Sequence, residues 1–301
     1  MSNNGKKKIG LIGLGDMGIG LAKNIMASGF ALSGFDLSQS RLDVLAGLGG
    51  NAAGSISEAA DGADAVFVMV LNGKQVQDVV LAEGGLLSSM LPGSVIIISA
   101  TISPSEIEVI AGPCKEKGVE VIDTPVSGGK AGADGGTLTM MAASKKSVFD
   151  ANQDILKAVG KNIFHVGEEI GQGQKIKAVL QAIIGASFTV YFEALVLGAK
   201  AGIKGETMYD VISSSGAGSP LFKNCAKLIM EREFKNTGSH IGTMYKDLGI
   251  TMDFAKEQGV AMFTTSTAHE LFQSGISLFP EEDNWAIVKL LEQIAGAEVT
   301  W

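Results

Sequence analysis

The stretch GLIGLGDMG, residues 10–18, constrains this chain most. Gly13, Gly15 and Gly18 complete a G-x-G-x-x-G that directly follows the apolar run 9–11 and precedes a helix-like segment. Strand, glycine turn and helix in that order open a βαβ unit whose turn cradles a dinucleotide. Gly13 permits the tight turn, Gly15 keeps a side chain out of the space between backbone and pyrophosphate, and Gly18 lets the helix pack closely on its strand. The helix's first N–H groups and its positive dipole end then face the phosphates. Leu14, Asp16 and Met17, between the glycines, belong to the same expected contact surface.

The next strand-like run, 30–35, ends in Asp36, eighteen residues beyond Gly18. A carboxylate there accepts hydrogen bonds from the ribose hydroxyls and repels a 2′-phosphate, which favours NAD over NADP. Arg41, five residues on, is the one nearby group that could turn toward a 2′-phosphate.

At 301 residues the chain exceeds what one core usually fills, so two domains are expected. Hydrophobic residues make up 46% and charged residues 19%, a balance that excludes disorder. A net charge of −8 argues against nucleic acid or an anionic membrane as partner and leaves a small molecule as the expected ligand. Cys114 and Cys225 form no C-x-x-C and no disulfide framework, which fits a cytoplasmic setting. Lys6, Lys7 and Lys8 superficially resemble the start of a secretory signal, but six glycines and Asp16 interrupt positions 5–20, and no targeting segment is expected. The one candidate membrane span, the uncharged stretch 178–192, is read as too short to cross and as a buried helix, with Ala182, Gly185, Ala186 and Ser187 small enough to admit a neighbour.

From residue 8 to about 168, the runs IGLI, ALSGFD, AVFVMV, VIIIS, VEVIDTPV, TLTMMAA and IFHVG alternate with helix-like stretches. That alternation predicts an α/β fold, a doubly wound parallel Rossmann sheet over 1–169. Gly-, Pro- and Ser-rich breaks such as AGLGGNAAGS and SGGKAGADGG place loops at the strand ends where ligands bind in such sheets. Past GQGQ the pattern becomes helical throughout, giving an all-helical domain over 170–301 joined by a long interdomain helix from about 174 to 201. Leu71 and Asn72, just beyond the AVFVMV run, complete the expected cofactor contacts.

Lys177 and Gln181 lie four residues apart, on one face near the start of that helix, and could handle a hydroxyl and a carboxylate. A solvent-exposed lysine is the plainer reading of the spacing alone. Ser127, Gly128 and Gly129 could form an anion-binding nest or a simple turn, with Asp123 and Pro125 shaping it. Lys246 and Asp247 stand in an otherwise apolar helix, and their role is open between structure and function. His165, His240 and His269 lack a second ligand at metal-binding spacing, so no metal site is expected, and Met140 and Met141 are read as core. No G-x-S-x-G elbow supports a serine hydrolase.

Five motifs in this order, GLIGLGDMG, TISPSE, DTPVSGG, the G-x-G-x-x-x-K over 171–177 and MYKDLG, resemble the β-hydroxyacid dehydrogenase family. The resemblance implies that Lys177 is the catalytic lysine, that Ser127, Gly128 and Gly129 hold the substrate carboxylate, and that Gln181 contacts substrate where many members carry asparagine. It also implies that Thr101 lies by the nicotinamide ribose and that Lys246 approaches nicotinamide and substrate. Ser99-Ala100-Thr101 and the glutamine look closer to the L-threonate dehydrogenase branch, although that branch commonly has histidine where this chain has Leu180. Asp36-Leu37 stands where NADP-using members often carry asparagine-arginine.

The implied reaction is oxidation of a short hydroxy acid, with Lys177 taking the hydroxyl proton as hydride leaves. Such a lysine must be neutral at working pH, which calls for a pKa lowered to roughly 7–8. Alternatives within the resemblance are 3-hydroxyisobutyrate oxidation or reduction of a tartronate or succinic semialdehyde. An imine reductase and a catalytically silent nucleotide-binding scaffold are the readings from other classes. A homodimer or homotetramer is expected from the long small-residue helix.

Overall fold

The computed structural model describes residues 7–301, so Lys6 of the basic run lies outside the described residues. The chain divides into two compact units, the first ending at Lys177 and the second running Ala178–Trp301.

The first unit is built on a nine-stranded sheet: β1 (Lys8–Ile12), β2 (Ala31–Phe35), β3 (Asn51–Ala52), β4 (Ala65–Val68), β5 (Val95–Ile98), β6 (Glu120–Asp123), β7 (Val126–Ser127), β8 (Leu138–Ala143) and β9 (Gly160–Gly167). The order β3-β2-β1-β4-β5-β6 is parallel throughout and is the Rossmann order, with its reversal between β1 and β4. β8 then runs antiparallel to β6 and β7, and β9 is parallel to β8. The reversal follows from chain length: the interval 128–137 is shorter than a parallel crossover needs, so the chain returns directly. Within that interval the stretch read as a loop forms a single short helix, Gly129–Asp134.

Alternate strand residues serve opposite layers. Phe67 and Ile97 join Leu11, Leu21, Ile25 and Ile122 on one face, while Val66, Val68, Ile96 and Ile98 join Val76, Val80, Ile107 and Ile110 on the other. Both faces are therefore covered by helices, as a parallel sheet requires. Met140 is fully buried and Met141 nearly so, as core filler.

The second unit is helical. Its core gathers Phe188, Phe192, Phe222, Phe272 and Trp285, with Phe188 and Trp285 edge to face at 5.4 Å. The long helix Gln172–Lys200 passes from the first unit into the second. At 29 residues it exceeds the uncharged stretch, and its length and composition alone would let it cross a bilayer, so shortness is not what argues against a span. Its buried polar residues Gln174, Lys177, Gln181 and Thr189 mark it as a core helix instead. Gly185 admits a close neighbour: a Cβ there would stand 2.6 Å from Leu248 Cδ2 of the helix Ile241–Glu257.

Candidate active site

Strands β1, β2, β4, β5 and β6 run in one direction, and Gly13, Asp36, Asn72, Thr101 and Ser127 each follow the carboxyl end of one of them. Gly13 follows β1 with φ +93°, and a Cβ on it would lie 2.3 Å from Met69 O. A Cβ on Gly18 would lie 2.0 Å from Gly13 O, so both positions exclude any side chain. Gly15 differs, because a Cβ there would meet nothing nearer than Arg41 Nη1 at 3.8 Å. Its bareness answers to no neighbour in the protein and fits an approaching phosphate. Gly15 is also the N-cap of the helix Asp16–Ala27 and supplies no side-chain cap to its first turn. Those N–H groups suit an anion.

Asp36 locks this turn from the end of β2. Its Oδ2 accepts from Leu14 N at 2.7 Å and its Oδ1 from Ser38 N at 2.9 Å, while Arg41 Nη1 stands 3.4 Å from Oδ2. Asn72, past β4, caps the helix Gly73–Leu81 by accepting from Gln75 N at 2.9 Å, and Leu71 N donates to Gln75 Oε1 at 2.9 Å. The Asn72 side-chain oxygen is thus committed to the helix, and the Asn-x-x-Gln spacing is the capping pattern that could have shown this. These features accommodate a dinucleotide: glycine turn, uncapped helix start and acid all lie at the switch in strand order.

Past β6, Gly128 and Gly129 have φ +132° and +57°, conformations that require glycine, and they start the helix Gly129–Asp134 without a side-chain cap. Ser127 is half-buried beside them. The residue that organises this edge is Asp123, fully buried at the end of β6. Its Oδ2 accepts from Gly171 N and Gly173 N, each at 3.0 Å, and from Gln174 N at 3.3 Å, so it caps the long helix from a distant strand. Gln174 Nε2 donates to Asp123 Oδ1 at 2.8 Å and to Ala100 O at 3.1 Å, and its Oε1 accepts from Ile102 N at 3.1 Å. Thr101 sits between the two clamped residues, and Lys177, buried, follows Gln174 by one turn. The glycines of G-x-G-x-x-x-K permit the approach: Gly171 has φ +100°, and a Cβ on Gly173 would come within 2.5 Å of Met141 O. Burial pushes the Asp123 carboxyl up to about 6, against the four donors that pull it down.

In the second unit, Gln181 and Asp247 are both buried, and Gln181 Nε2 donates to Asp247 Oδ2 at 2.5 Å. Lys246 Nζ stands 2.7 Å from Asp247 Oδ1. Thr251 Oγ1 donates to Ala178 O at 3.1 Å and Asp247 O at 2.9 Å, which ties this helix to the long one.

The three histidines have structural partners: His165 contacts Ser144 O and packs on Phe149, His240 caps the helix Ile241–Glu257, and His269 stacks on Tyr245. Among the described residues no group of three His, Cys, Asp or Glu converges. Cys114 and Cys225 are buried free thiols, and burial pushes Cys114 up to about 12.

Residues 8–167 match the NAD binding domain of 6-phosphogluconate dehydrogenase, so the cradle is that of an NAD(P)-dependent oxidoreductase. Residues 171–291 match a second family, described as NAD-binding of NADP-dependent 3-hydroxyisobutyrate dehydrogenase. Relatives extend over both parts. The chain is 36% identical to 2-(hydroxymethyl)glutarate dehydrogenase of Eubacterium barkeri and 32% identical to L-threonate dehydrogenase of Haemophilus influenzae, with 97% of each chain covered in both cases. The crystal structure of 3-hydroxyisobutyrate dehydrogenase from Salmonella typhimurium superposes with a TM-score of 0.87 at 31% identity, covering 95% of this chain and 100% of that one. The chain belongs to the β-hydroxyacid dehydrogenase family and is an NAD(P)-dependent hydroxyacid dehydrogenase.

Proposed function

We propose that this enzyme uses NAD in preference to NADP to oxidise a short hydroxy acid, a four-carbon sugar acid such as L-threonate at its 2-hydroxyl, with Lys177 as general acid and base. The observation that carries the reading is the placement of Lys177: a buried amine one turn beyond the Asp123–Gln174 clamp, in the same unit as the cradle and the Ser127–Gly128–Gly129 turn.

NAD, when bound, supplies the hydride acceptor for the carbon being oxidised. Gly13, Leu14, Gly15, Asp16, Met17 and Gly18 hold its pyrophosphate, and Asp36 receives the adenosine ribose. Thr101 and Lys246 complete the cofactor contacts, with Leu71 and Asn72 contributing through groups other than the Leu71 N–H and Asn72 oxygen that Gln75 engages. Ser127 and the N–H groups of Gly128 and Gly129 hold the substrate carboxylate, and Gln181 contacts the rest of the acid. Lys177 Nζ accepts the hydroxyl proton as the C–H bonding pair departs as hydride, so the alcohol becomes a carbonyl. In the reverse direction the Lys177 ammonium returns that proton. Asp36 supports NAD because its carboxylate is where a 2′-phosphate would come.

The exposed residues Ile176, Val179, Ile183, Val190 and Leu197 form an apolar stripe along one face of the long helix, which supports a homodimer or homotetramer. The buried free thiols suit the cytoplasm.

Lys177→Ala tests the assignment. Turnover is expected to fall by the ~10²–10⁴-fold typical of a general acid–base group while NAD binding, followed by calorimetry, persists. An unchanged rate removes Lys177 from the chemistry.

A further inference from the structure

Gln181 carries a buried oxygen, Oε1, that accepts no hydrogen bond among the described residues. Which end of this amide is exposed to a ligand is decided by its neighbour. Asp247 Oδ2 is an acceptor, so the NH2 end of Gln181 must face it, and the 2.5 Å contact uses that end. Met244 Sδ, a weak acceptor 4.0 Å from the same nitrogen, reinforces the orientation. Lys246 Nζ stands 2.7 Å from Asp247 Oδ1, on the carboxylate edge turned away from Gln181. Oε1 is left presenting lone pairs from a residue only 4% exposed. A buried acceptor without a partner calls for an explanation, and of the six such side-chain atoms among the described residues Gln181 Oε1 is the one that follows Lys177 by a single turn of the same helix.

We infer that Asp247 is a specificity-determining positioning residue: by fixing the Gln181 amide it makes the enzyme select an acid that brings a hydrogen-bond donor in addition to the hydroxyl being oxidised. The inference rests on the reading of Lys177 as the base. Gln181 follows Lys177 by one turn on the same face of the helix, with Cβ atoms ~6 Å apart. The reacting hydroxyl has a single proton, and that proton goes to Lys177. On this reading the donor for Gln181 Oε1 is a second group on the substrate, a neighbouring hydroxyl or an ammonium. A methyl, a hydrogen or a carboxylate there leaves the acceptor unpaired or repelled.

The test uses the full-length enzyme with saturating NAD and substrates matched in all but the second group. Glycerate, L-serine, 3-hydroxypropionate and 3-hydroxyisobutyrate differ at C2 by hydroxyl, ammonium, hydrogen and methyl, and L-threonate is compared with 2,4-dihydroxybutanoate, which lacks only its C3 hydroxyl. Donor-bearing acids are expected to exceed their partners in kcat/KM by at least ~10²-fold, since a site built to bond a hydroxyl strongly rejects the analogue lacking it. Glycerate and L-threonate against L-serine separate a hydroxyl from an ammonium as the donor. Gln181→Leu should bring the ratio to within a few-fold of unity. Asp247→Asn, which lets the amide turn over, should lower the ratio with a gain for the donor-free acids. A merely structural role would depress all substrates together and leave the ratio unchanged. Turnover of donor-free acids as efficient as that of their partners, or a ratio unmoved by both variants, overturns the inference alone. Absence of NADH formation from every acid overturns the dehydrogenase reading, and the inference falls with it.

Discussion

Replacing Asp123 by asparagine separates the charge of this buried group from its shape. Oδ2 takes three backbone donors and Oδ1 takes Gln174 Nε2. An amide can serve only one of these edges. With its oxygen on the backbone groups its NH2 opposes Gln174 Nε2, and turning Gln174 over withdraws Oε1 from Ile102 N. Either way one buried polar group loses its partner, a pH-independent cost of about 1–3 kcal/mol. The charge acts in the opposite direction. Burial raises the carboxyl from 3.8 to about 6, so the folded protein holds this proton roughly 10²-fold more tightly than the unfolded chain, worth about 3 kcal/mol. A raised folded-state pKa means that the contribution to stability is full below the unfolded value, declines as pH rises toward about 6, and is flat above it. Asparagine does not titrate in this range. The stability difference between wild type and Asp123→Asn should therefore shift by about 2–3 kcal/mol in the variant's favour from pH 4 to pH 7. Urea unfolding of both proteins at each pH, followed by far-UV circular dichroism, measures it. A constant difference refutes the reasoning, and a shift in the wild type's favour shows that the four donors outweigh burial.

Asp36→Ala removes the carboxylate from Leu14 N and frees Arg41, so the NADP-to-NAD ratio of kcat/KM should rise by at least ~10-fold, given that like charges in contact cost several kcal/mol. An unchanged ratio takes Asp36 out of cofactor discrimination. Ile183→Lys places a charge in the middle of the exposed apolar stripe and should lower the molar mass found by light scattering, with the helical signal retained; an unaltered mass puts the subunit interface elsewhere.

The parts of the molecule legible in the sequence are those whose cause is local. Gly13 and Gly18 are demanded by atoms within a few positions or on the adjacent strand, and Asp36 stands one βαβ step from the glycines it supports. The alternation of strand and helix was readable for the same reason. The reversal at β8 was not, because it depends on how little chain lies between two short strands rather than on the character of either. Asn72 illustrates a third case: its strand-end position suggested a cofactor contact, while its spacing to Gln75 carried a capping signal that competes for the same oxygen. Asp123 was expected only to shape a turn. Its partners lie 48 to 51 residues away, and nothing local in DTPVSGG announces them.

One device occurs twice in this chain, and the difference between its two uses bears on function. In each unit a buried aspartate fixes a glutamine on the long helix, Asp123 with Gln174 and Asp247 with Gln181. A carboxylate only accepts, so in both pairs it determines that the amide nitrogen faces inward and the oxygen faces away. At Gln174 the oxygen meets Ile102 N and the circuit closes within the protein, which makes that pair a clamp on the Thr101 loop and on the start of the helix bearing Lys177. At Gln181 the same construction ends in an acceptor without a protein partner. If stiffening the helix were the whole purpose, the second pair would be expected to close as the first does, since an unpaired buried oxygen costs about 1–3 kcal/mol. Such a cost at one of two like pairs is intelligible where a substrate donor completes the circuit, and there the strength of the bond depends on which substrate arrives.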